Sequence, residues 1–272
     1  PDPKSYIEIA NPLNREQRFL RQTLMNTTLE TMASNLRFVE RVAVLEIGSV
    51  YLREEGEALP AEPRRLSIGL CGPREARSWL SSEGENFGFY DLKGIIETLC
   101  ARLGIQDVHV EATQHPTLHP GRAARLSIGG VDAGVFGEVH PLVRANFDLP
   151  DETVCLAELD LEVLLSAARL TESFAAISRM PALKLDLAVV VDEQTPSDQV
   201  AALIRETGGA TLVDVVLFDV YRGAQIGEGK KSLAYSLTFQ AMDRTLTTEE
   251  ATKQRERIVA RLSRELGATV RG

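Results

Sequence analysis

Residues 212–239, which read LVDVVLFDVYRGAQIGEGKKSLAYSLTF, contain the pattern that decides the fold of the C-terminal part of this chain. The segment from Leu212 to Tyr221 is rich in β-branched and aromatic residues, and this composition predicts a strand. After a loop with several glycines, a second segment alternates apolar with other residues, the apolar positions being Leu233, Tyr235, Leu237 and Phe239. Strict alternation predicts a strand with one buried face.

Elements on either side of this stretch complete a βαββαβ order. A β-branched run at Leu183–Val191 predicts a first strand, and Thr195–Asp198 supplies the capping signals of a helix. Downstream, Thr247 and Glu250 fit a capping box for a second helix, and residues 268–271 predict a last short strand. This order is that of the ferredoxin-like fold.

The first part of the chain predicts a mixed α/β domain. Apolar spacing indicates one long helix over Asn14–Leu36 and another over Asp91–Leu103. Predicted strands lie at Val42–Tyr51, Leu66–Cys71, Val108–Ala112, Ala124–Ile128, Val131–Val139 and Cys155–Leu159. Because tight turns separate these short strands, we expect a largely antiparallel sheet with helices packed against it.

The predicted fold class is therefore α+β with two domains. A mixed or antiparallel sheet domain occupies residues 1–170, a linker occupies residues 171–181, and a ferredoxin-like domain occupies residues 182–272. A chain of 272 residues is long enough for each domain to bury a core of its own.

Charge is distributed unevenly along the chain, whose formal net charge is -9. Residues 1–173 contain 17 Lys and Arg against 26 Asp and Glu, whereas residues 174–272 contain 13 of each. The C-terminal part therefore lacks the basic surface that most nucleic-acid-binding domains use. If it binds RNA, its affinity must depend on base contacts more than on attraction to phosphates.

Other features of the composition favour a cytoplasmic protein. No apolar run reaches the roughly 18 residues of a membrane-spanning helix. Cys71, Cys100 and Cys155 lie too far apart for a C-x-x-C pair, which suits a reducing compartment. The chain opens Pro-Asp-Pro-Lys without an initiator Met, so we expect it to be a segment of a longer protein.

Two histidines, His115 and His119, have the four-residue spacing that zinc sites use on a helix. Each precedes a proline, which disfavours a helix, and no cysteine or pair of acids lies nearby. We therefore expect turn or packing roles, no bound metal and no metal-dependent enzyme. Residues 229–232, Gly-Lys-Lys-Ser, also fail the phosphate-binding-loop pattern, and no nucleophile motif is present.

Asp219 and Tyr221 are the residues most suggestive of binding. Residues two apart on a strand point to the same face. An aromatic ring beside a carboxylate can stack an unpaired base, while the acid accepts hydrogen bonds from the adjacent N1–H and N2–H donors of guanine. The alternative is an exposed Tyr and Asp at a strand end with no ligand.

Short motifs along the whole chain occur in the order found in bacterial phenylalanyl-tRNA synthetase beta subunits. Residues Phe218–Gly223, Gly229–Tyr235 and Arg244–Thr247 resemble blocks of that family's anticodon-binding domain. Upstream, the motifs that resemble the family are Asn11–Leu13, Leu45–Gly48, Asp91–Gly94, Leu118–Gly121 and Gly137–Pro141. None of these motifs is specific alone, but the ordered series is.

The resemblance implies a non-catalytic part of a phenylalanine–tRNA ligase beta subunit. The first domain would have a class II synthetase-like fold without catalytic residues. It would pack against the catalytic alpha subunit in an (αβ)₂ heterotetramer, with Leu20, Arg21 and Leu24 at the interface. ATP and magnesium would serve the parent complex and bind outside this segment.

For the second domain, the resemblance implies recognition of the anticodon of phenylalanine tRNA, whose first base is guanine. Tyr221 would stack on that base and Asp219 would read its edge, with lesser contacts from Ser232 and Ala188. Phosphate contacts would come from Arg222, Lys231 and Lys184. The family often has Arg at position 185, which is Leu here, so that phosphate contact is not assigned.

A ferredoxin-like fold does not by itself imply RNA binding, since amino-acid sensors share it. The alternative function is therefore a small-molecule regulatory module.

Overall fold

The chain forms two units, Pro1–Ser173 and Phe174–Gly272, each with its own antiparallel sheet and hydrophobic core. The computed structural model describes residues 6–13, 18–54, 56, 59–75, 78–79, 84–171 and 178–271. None of the helices described is long and apolar enough to cross a membrane.

The first unit is built on a six-stranded sheet with the strand order β1-β2-β6-β5-β4-β3, in which every neighbouring pair is antiparallel. Its elements are α1 (Met25–Leu36), β1 (Val42–Ser49), β2 (Arg64–Cys71), α2 (Phe89–Arg102), β3 (Val108–Ala112), β4 (Leu118–Ile128), β5 (Val131–Val139), α3 (Pro141–Asn146), β6 (Val154–Asp160) and α4 (Leu161–Ala167).

Helices cover both faces of this sheet, as the packing of the central strand β6 shows. Leu156 packs in a cluster with residues of α1, whereas Ala157 and Leu159 pack with residues of α2 and α4. Successive side chains of a strand point to opposite faces, so β6 is buried on both sides and is apolar at consecutive positions. The antiparallel sheet with helices packed against it, expected from the sequence, is confirmed.

The first helix begins at Met25, so the start predicted at Asn14 is wrong. Residues 14–17 lie outside the described part of the chain, and the backbone N–H of Leu20 donates to the carbonyl of Ile7, 2.9 Å away. Glu158 of β6 holds the N-terminal end of α1. Its Oε2 accepts hydrogen bonds from Thr23 Oγ1 and Leu24 N, each at 2.6 Å. A carboxylate 134 residues away in sequence therefore sets the boundary.

The second unit has the predicted βαββαβ order and a four-stranded antiparallel sheet in the order β10-β7-β9-β8. Its elements are β7 (Leu183–Asp192), α5 (Ser197–Gly208), β8 (Leu212–Tyr221), β9 (Lys230–Phe239), α6 (Thr248–Leu266) and β10 (Thr269–Val270).

The capping signals of α6 act as predicted, but those of α5 do not. Thr195 does not cap α5, which begins at Ser197 with Pro196 as its N-cap residue and no side-chain cap hydrogen bond. Thr247 Oγ1 accepts the backbone N–H of Glu250, and Glu250 Oε2 accepts the backbone N–H of Thr247 at 3.0 Å, so the capping box of α6 is confirmed. Gly267 ends the helix with a left-handed φ of 62°. Of the predicted linker at 171–181, residues 172–177 lie outside the described residues.

Candidate nucleic-acid interface

The sheet of the second unit is covered by helices on one face and open on the other. Alternate residues of β9, such as Leu233 and Tyr235, are buried with residues of α5 and α6. The intervening residues point to the opposite face and are small or polar: Ser232, Ala234, Ser236 and Thr238. The paired positions on β7 include Ala188 and Val190. This second surface is called the open face below.

A bulge in β8 places Asp219 and Tyr221 on the open face. Leu217 pairs with Tyr235 and Asp219 pairs with Ala234, so Phe218 is an extra residue without a partner of its own in β9. In an unbroken strand, Asp219 and Tyr221 would share the core face with Leu217. The extra residue reverses the alternation, which is a common effect of bulges beside binding sites.

The four residues assigned to the anticodon lie in two neighbouring rows across the sheet. Asp219 pairs with Ala234, which pairs with Ala188, while Tyr221 pairs with Ser232. Asp219 is exposed, and Tyr221 and Ala188 are partly exposed. Ser232 is only 4% exposed and lies at the floor of the surface. The fold therefore brings all four together on one face.

Tyr221 is held in a defined position by two neighbours that the sequence did not point to. A methyl group at Gly223 would lie 2.7 Å from Tyr221 Cζ and closer still to the hydroxyl oxygen, so any larger residue there would displace the ring. On the ring itself lies the guanidinium of Arg271, with Cζ 4.7 Å from the ring centroid. Fifty positions separate Arg271 from Tyr221 in the sequence, so no local pattern could pair them.

The basic residues predicted to contact phosphates do not lie together, unlike the four residues assigned to the anticodon. Arg222 Nη2 lies 2.9 Å from Glu193 Oε1, and Lys231 Nζ donates to the backbone carbonyl of Glu193 at 2.8 Å. The Arg222 guanidinium, with Lys231 nearby, holds the pKa of Glu193 below its usual range. Lys184 pairs with Thr238 at the other end of the strands, about 13 Å along β7 from Ala188. These three residues therefore do not form one basic cluster, and their phosphate roles stay predictions.

Two of the three residues predicted to lie at the subunit interface are buried or paired within the first unit. Leu24 has no exposed surface, and Arg21 Nη1 lies 2.5 Å from Glu46 Oε1. Leu20 is partly exposed. A contact through Leu24 itself would require rearrangement, and the interface role of all three stays a prediction. Exposed apolar side chains lie instead on the edge strand β1, where Leu45 is 68% and Ile47 is 56% exposed.

The histidines that precede prolines accept hydrogen bonds from nearby backbone N–H groups. Nδ1 of His115, His119 and His140 accepts the backbone N–H of the residue two positions later, at 3.3, 3.1 and 3.1 Å respectively. The expected turn role is confirmed for His115, which precedes a turn at residues 116–117, whereas His119 lies within β4 and His140 is the N-cap residue of α3. In the described parts of the chain, no group of three or more His, Cys, Asp or Glu side chains could hold a metal ion.

The three cysteines are buried and unpaired. Burial raises the pKa of Cys71 to about 11 and that of Cys155 to about 12, and it raises the pKa of Cys100 as well. All three are therefore protonated at neutral pH and chemically quiet.

Comparison with known families agrees with this geometry. Residues 1–161 match the family described as phenylalanyl tRNA synthetase beta chain CLM domain. Residues 178–271 match the ferredoxin-fold anticodon binding domain. The chain belongs to the phenylalanyl-tRNA synthetase beta-chain family. The second match favours RNA binding over amino-acid sensing for the ferredoxin-like unit.

Curated members of the phenylalanyl-tRNA synthetase beta-chain family resemble almost the whole chain. The phenylalanine–tRNA ligase beta subunit of Moorella thermoacetica is 44% identical over 267 residues, covering 97% of this chain and 33% of that protein. The corresponding subunit of Symbiobacterium thermophilum is 40% identical over 97% of this chain and 30% of its own length. That of Clostridium tetani is 37% identical over 99% of this chain and 33% of its own length. The chain thus spans about a third of the length of these relatives.

One solved structure, pyrrolysyl-tRNA synthetase from Desulfitobacterium hafniense, is similar with a TM-score of 0.45 and 13% identity, over 60% of this chain and 52% of that one. The α+β fold class with an antiparallel sheet and a ferredoxin-like unit is confirmed by the strand pairings and by the second family match.

Proposed function

We propose that this chain recognises phenylalanine tRNA and contributes to subunit assembly in a phenylalanine–tRNA ligase. The second unit binds the anticodon loop on its open face. The first unit packs against the catalytic alpha subunit in an (αβ)₂ heterotetramer in the cytoplasm. ATP and magnesium bind outside this segment. The observation that carries the proposal is the placement of Asp219 and Tyr221 on the open face of an anticodon-binding fold.

The chemistry of this surface suits an unpaired guanine. Tyr221 offers a partly exposed aromatic plane, and base–aromatic stacking contributes about 1–3 kcal/mol per base. Asp219 is exposed one row away on the same face, so its carboxylate can accept both N–H donors of a guanine edge. Ala188 of β7 and Ala234 of β9 have small side chains, which leave space for a planar ligand above the sheet.

Subunit docking is supported by the edge of the first unit. Leu45 pairs with Ile68 and Ile47 pairs with Leu66, and those partners belong to the core cluster packed under α2 and α4. The apolar face of the sheet therefore extends onto β1, where its side chains are exposed to solvent. An exposed apolar edge strand is a surface that proteins usually cover.

The RNA-binding role is tested by titrating the full chain with a synthetic anticodon stem-loop of phenylalanine tRNA. We expect Asp219→Ala and Tyr221→Ala each to weaken binding by about 1–3 kcal/mol, or roughly 5- to 150-fold. Asp214→Ala is the control for Asp219, because Asp214 is an exposed acid near the other end of β8. Tyr90→Ala is the control for Tyr221, because Tyr90 is 79% exposed in the first unit.

Equal affinity of the wild type and both variants would show that the assigned surface is wrong. Weak binding of every variant, controls included, would instead point to a general effect on folding, which a thermal unfolding midpoint for each protein identifies.

A further inference from the structure

Arg271 crosses the open face from its far edge to reach Tyr221. Its backbone N–H donates to the carbonyl of Ala188 at 3.0 Å, which continues the pairing of β10 with β7. Three strand spacings of about 4.8 Å separate β10 from β8, so both long side chains must extend over the sheet to meet. The intervening positions are Ala188, Ala234 and Ser232, whose small side chains permit this.

The guanidinium covers one face of the ring on which a base would stack. Arg271 belongs to the row formed by Ala188, Ala234 and Asp219, next to the row of Tyr221, and its Cζ lies 4.7 Å from the ring centroid. A base that stacks on this face of Tyr221, with its edge toward Asp219, therefore meets the guanidinium.

Arg271 is held loosely in this position. Among the residues that the structure describes, its side chain contacts Tyr221 and the Oε1 of Gln225, the latter at 3.4 Å, and no ion pair with a carboxylate fixes it. Its backbone is anchored at Ala188 while its side chain is exposed. The guanidinium can thus move away from the ring by the thickness of a base without breaking the fold.

We propose that Arg271 is the second wall of a nucleobase slot, so that the base inserts between the Tyr221 ring and the Arg271 guanidinium. One face of the base stacks on each wall, and its edge reaches Asp219. A guanidinium suits this position because its plane stacks on unpaired bases, which a lysine ammonium cannot do. The inference rests on the proposed function, since the occupant is the first anticodon base of the bound RNA.

The test compares Arg271→Ala and Arg271→Lys in the full chain, each titrated with two stem-loops. One RNA carries guanine at the first anticodon position, and the other carries an abasic nucleotide there. With the guanine RNA we expect Arg271→Ala to bind about tenfold more weakly than the wild type. Arg271→Lys should lose almost as much affinity, although it keeps the charge. With the abasic RNA, all three proteins should agree within about twofold, because nothing is left to stack.

Arg264→Ala is the matched control, since it removes an exposed arginine from α6, and we expect no change in affinity. Three results would overturn the slot, and the first is normal binding of the guanine RNA by Arg271→Ala. Equal losses with both RNAs, rescued by lysine, would make Arg271 a phosphate contact. Tighter binding of Arg271→Ala would make Arg271 a competitor for the ring.

The outcomes separate this inference from the proposed function. If the wild type binds and Tyr221→Ala is weak but Arg271→Ala binds normally, only the second wall is wrong. If the wild type does not bind, or Tyr221→Ala has no effect, the assigned surface itself is wrong.

Discussion

At Phe218, one extra residue in β8 determines what the open face can bind. The bulge turns Asp219 and Tyr221 away from the core that holds Val215 and out beside Ala234 and Ser232. A carboxylate in the core would need a partner or would lose its charge. On the open face, both side chains are available to a ligand.

The position of the Tyr221 ring depends on Gly223, and this gives a prediction. In Gly223→Ala the new methyl group would lie 2.7 Å from Tyr221 Cζ, so the ring must swing aside. We expect affinity for the anticodon stem-loop to fall severalfold. The thermal unfolding midpoint should change little, because the colliding atoms are the end of a partly exposed side chain.

The control for that variant is Gly94→Ala, since an added methyl group there meets nothing within 4 Å. Unchanged RNA affinity in Gly223→Ala, with the ring shown by NMR to have moved, would mean that the ring position does not determine binding.

Strand periodicity could predict that Asp219 and Tyr221 share a face, but not which face. That choice depends on the pairing of β8 with β9, and the bulge is visible only in the register. Arg271 was missed for a related reason, because its contact with Tyr221 depends on the meeting of two strands at opposite edges of the sheet.

Among whole elements, those whose ends are set by local chemistry were predicted best. The helix α6 begins at the capping box of Thr247 and Glu250 and ends at Gly267, as its sequence indicates. The start of α1 was misplaced because it is fixed by Glu158, whose carboxylate lies on a strand far along the chain. No pattern near Met25 carries that information.

The capping box gives α6 a specific dependence on pH. Hydrogen bonds from the Arg244 side chain, and from the backbone N–H of Thr247, lower the pKa of Glu250 to about 2. An unfolded glutamate titrates near pH 4.3, so the charged form is favoured by folding. The stabilisation is therefore complete above about pH 4.5 and is lost as the pH falls toward 2.

The measurement is the free energy of unfolding of the wild type and of Glu250→Gln across this range. We expect the difference between them to be largest near neutral pH and to shrink below about pH 4.5. Glu249→Gln removes the same charge from the same helical turn but not the capping carboxylate. A difference that stays constant with pH, or equals that of Glu249→Gln, would contradict the role of the carboxylate.

The edge strand β1 yields a prediction about subunit assembly. Replacing Leu45 and Ile47 together by Glu places two charges on its exposed apolar face. Because buried unpaired charges are costly, we expect co-purification with a co-expressed alpha subunit to fall sharply. Leu142→Glu is the control, since Leu142 is 71% exposed outside β1. Normal assembly of the double variant, measured by light scattering, would exclude β1 as the docking surface.

For the whole molecule, the two-part organisation followed from separate sequence signals. The βαββαβ order and the apolar alternation of β9 come from local periodicity, and both are confirmed. The six-stranded order of the first unit could not be derived in this way, because β2 pairs with β6 across about 90 residues. Pairing over such distances depends on which faces the folded chain must bury.

Charge at the scale of the whole chain leads to the last prediction. The net charge is -9, and the 13 basic residues of the second part are balanced by 13 acids. Arg222 is paired with Glu193, so it is not available for a phosphate without breaking that contact. Each phosphate neutralised by a protein cation contributes roughly -0.7 to the slope of log affinity against log salt for single strands.

We therefore expect a shallow slope of about -1 to -2 for the wild type, measured by titrating the stem-loop at several potassium chloride concentrations. Lys184→Ala should reduce its magnitude only if Lys184 reaches a phosphate, and Arg264→Ala should leave it unchanged. A slope steeper than about -4 would mean that phosphate contacts dominate binding. The stacking plane and the carboxylate of the open face would then be secondary to a basic surface formed elsewhere.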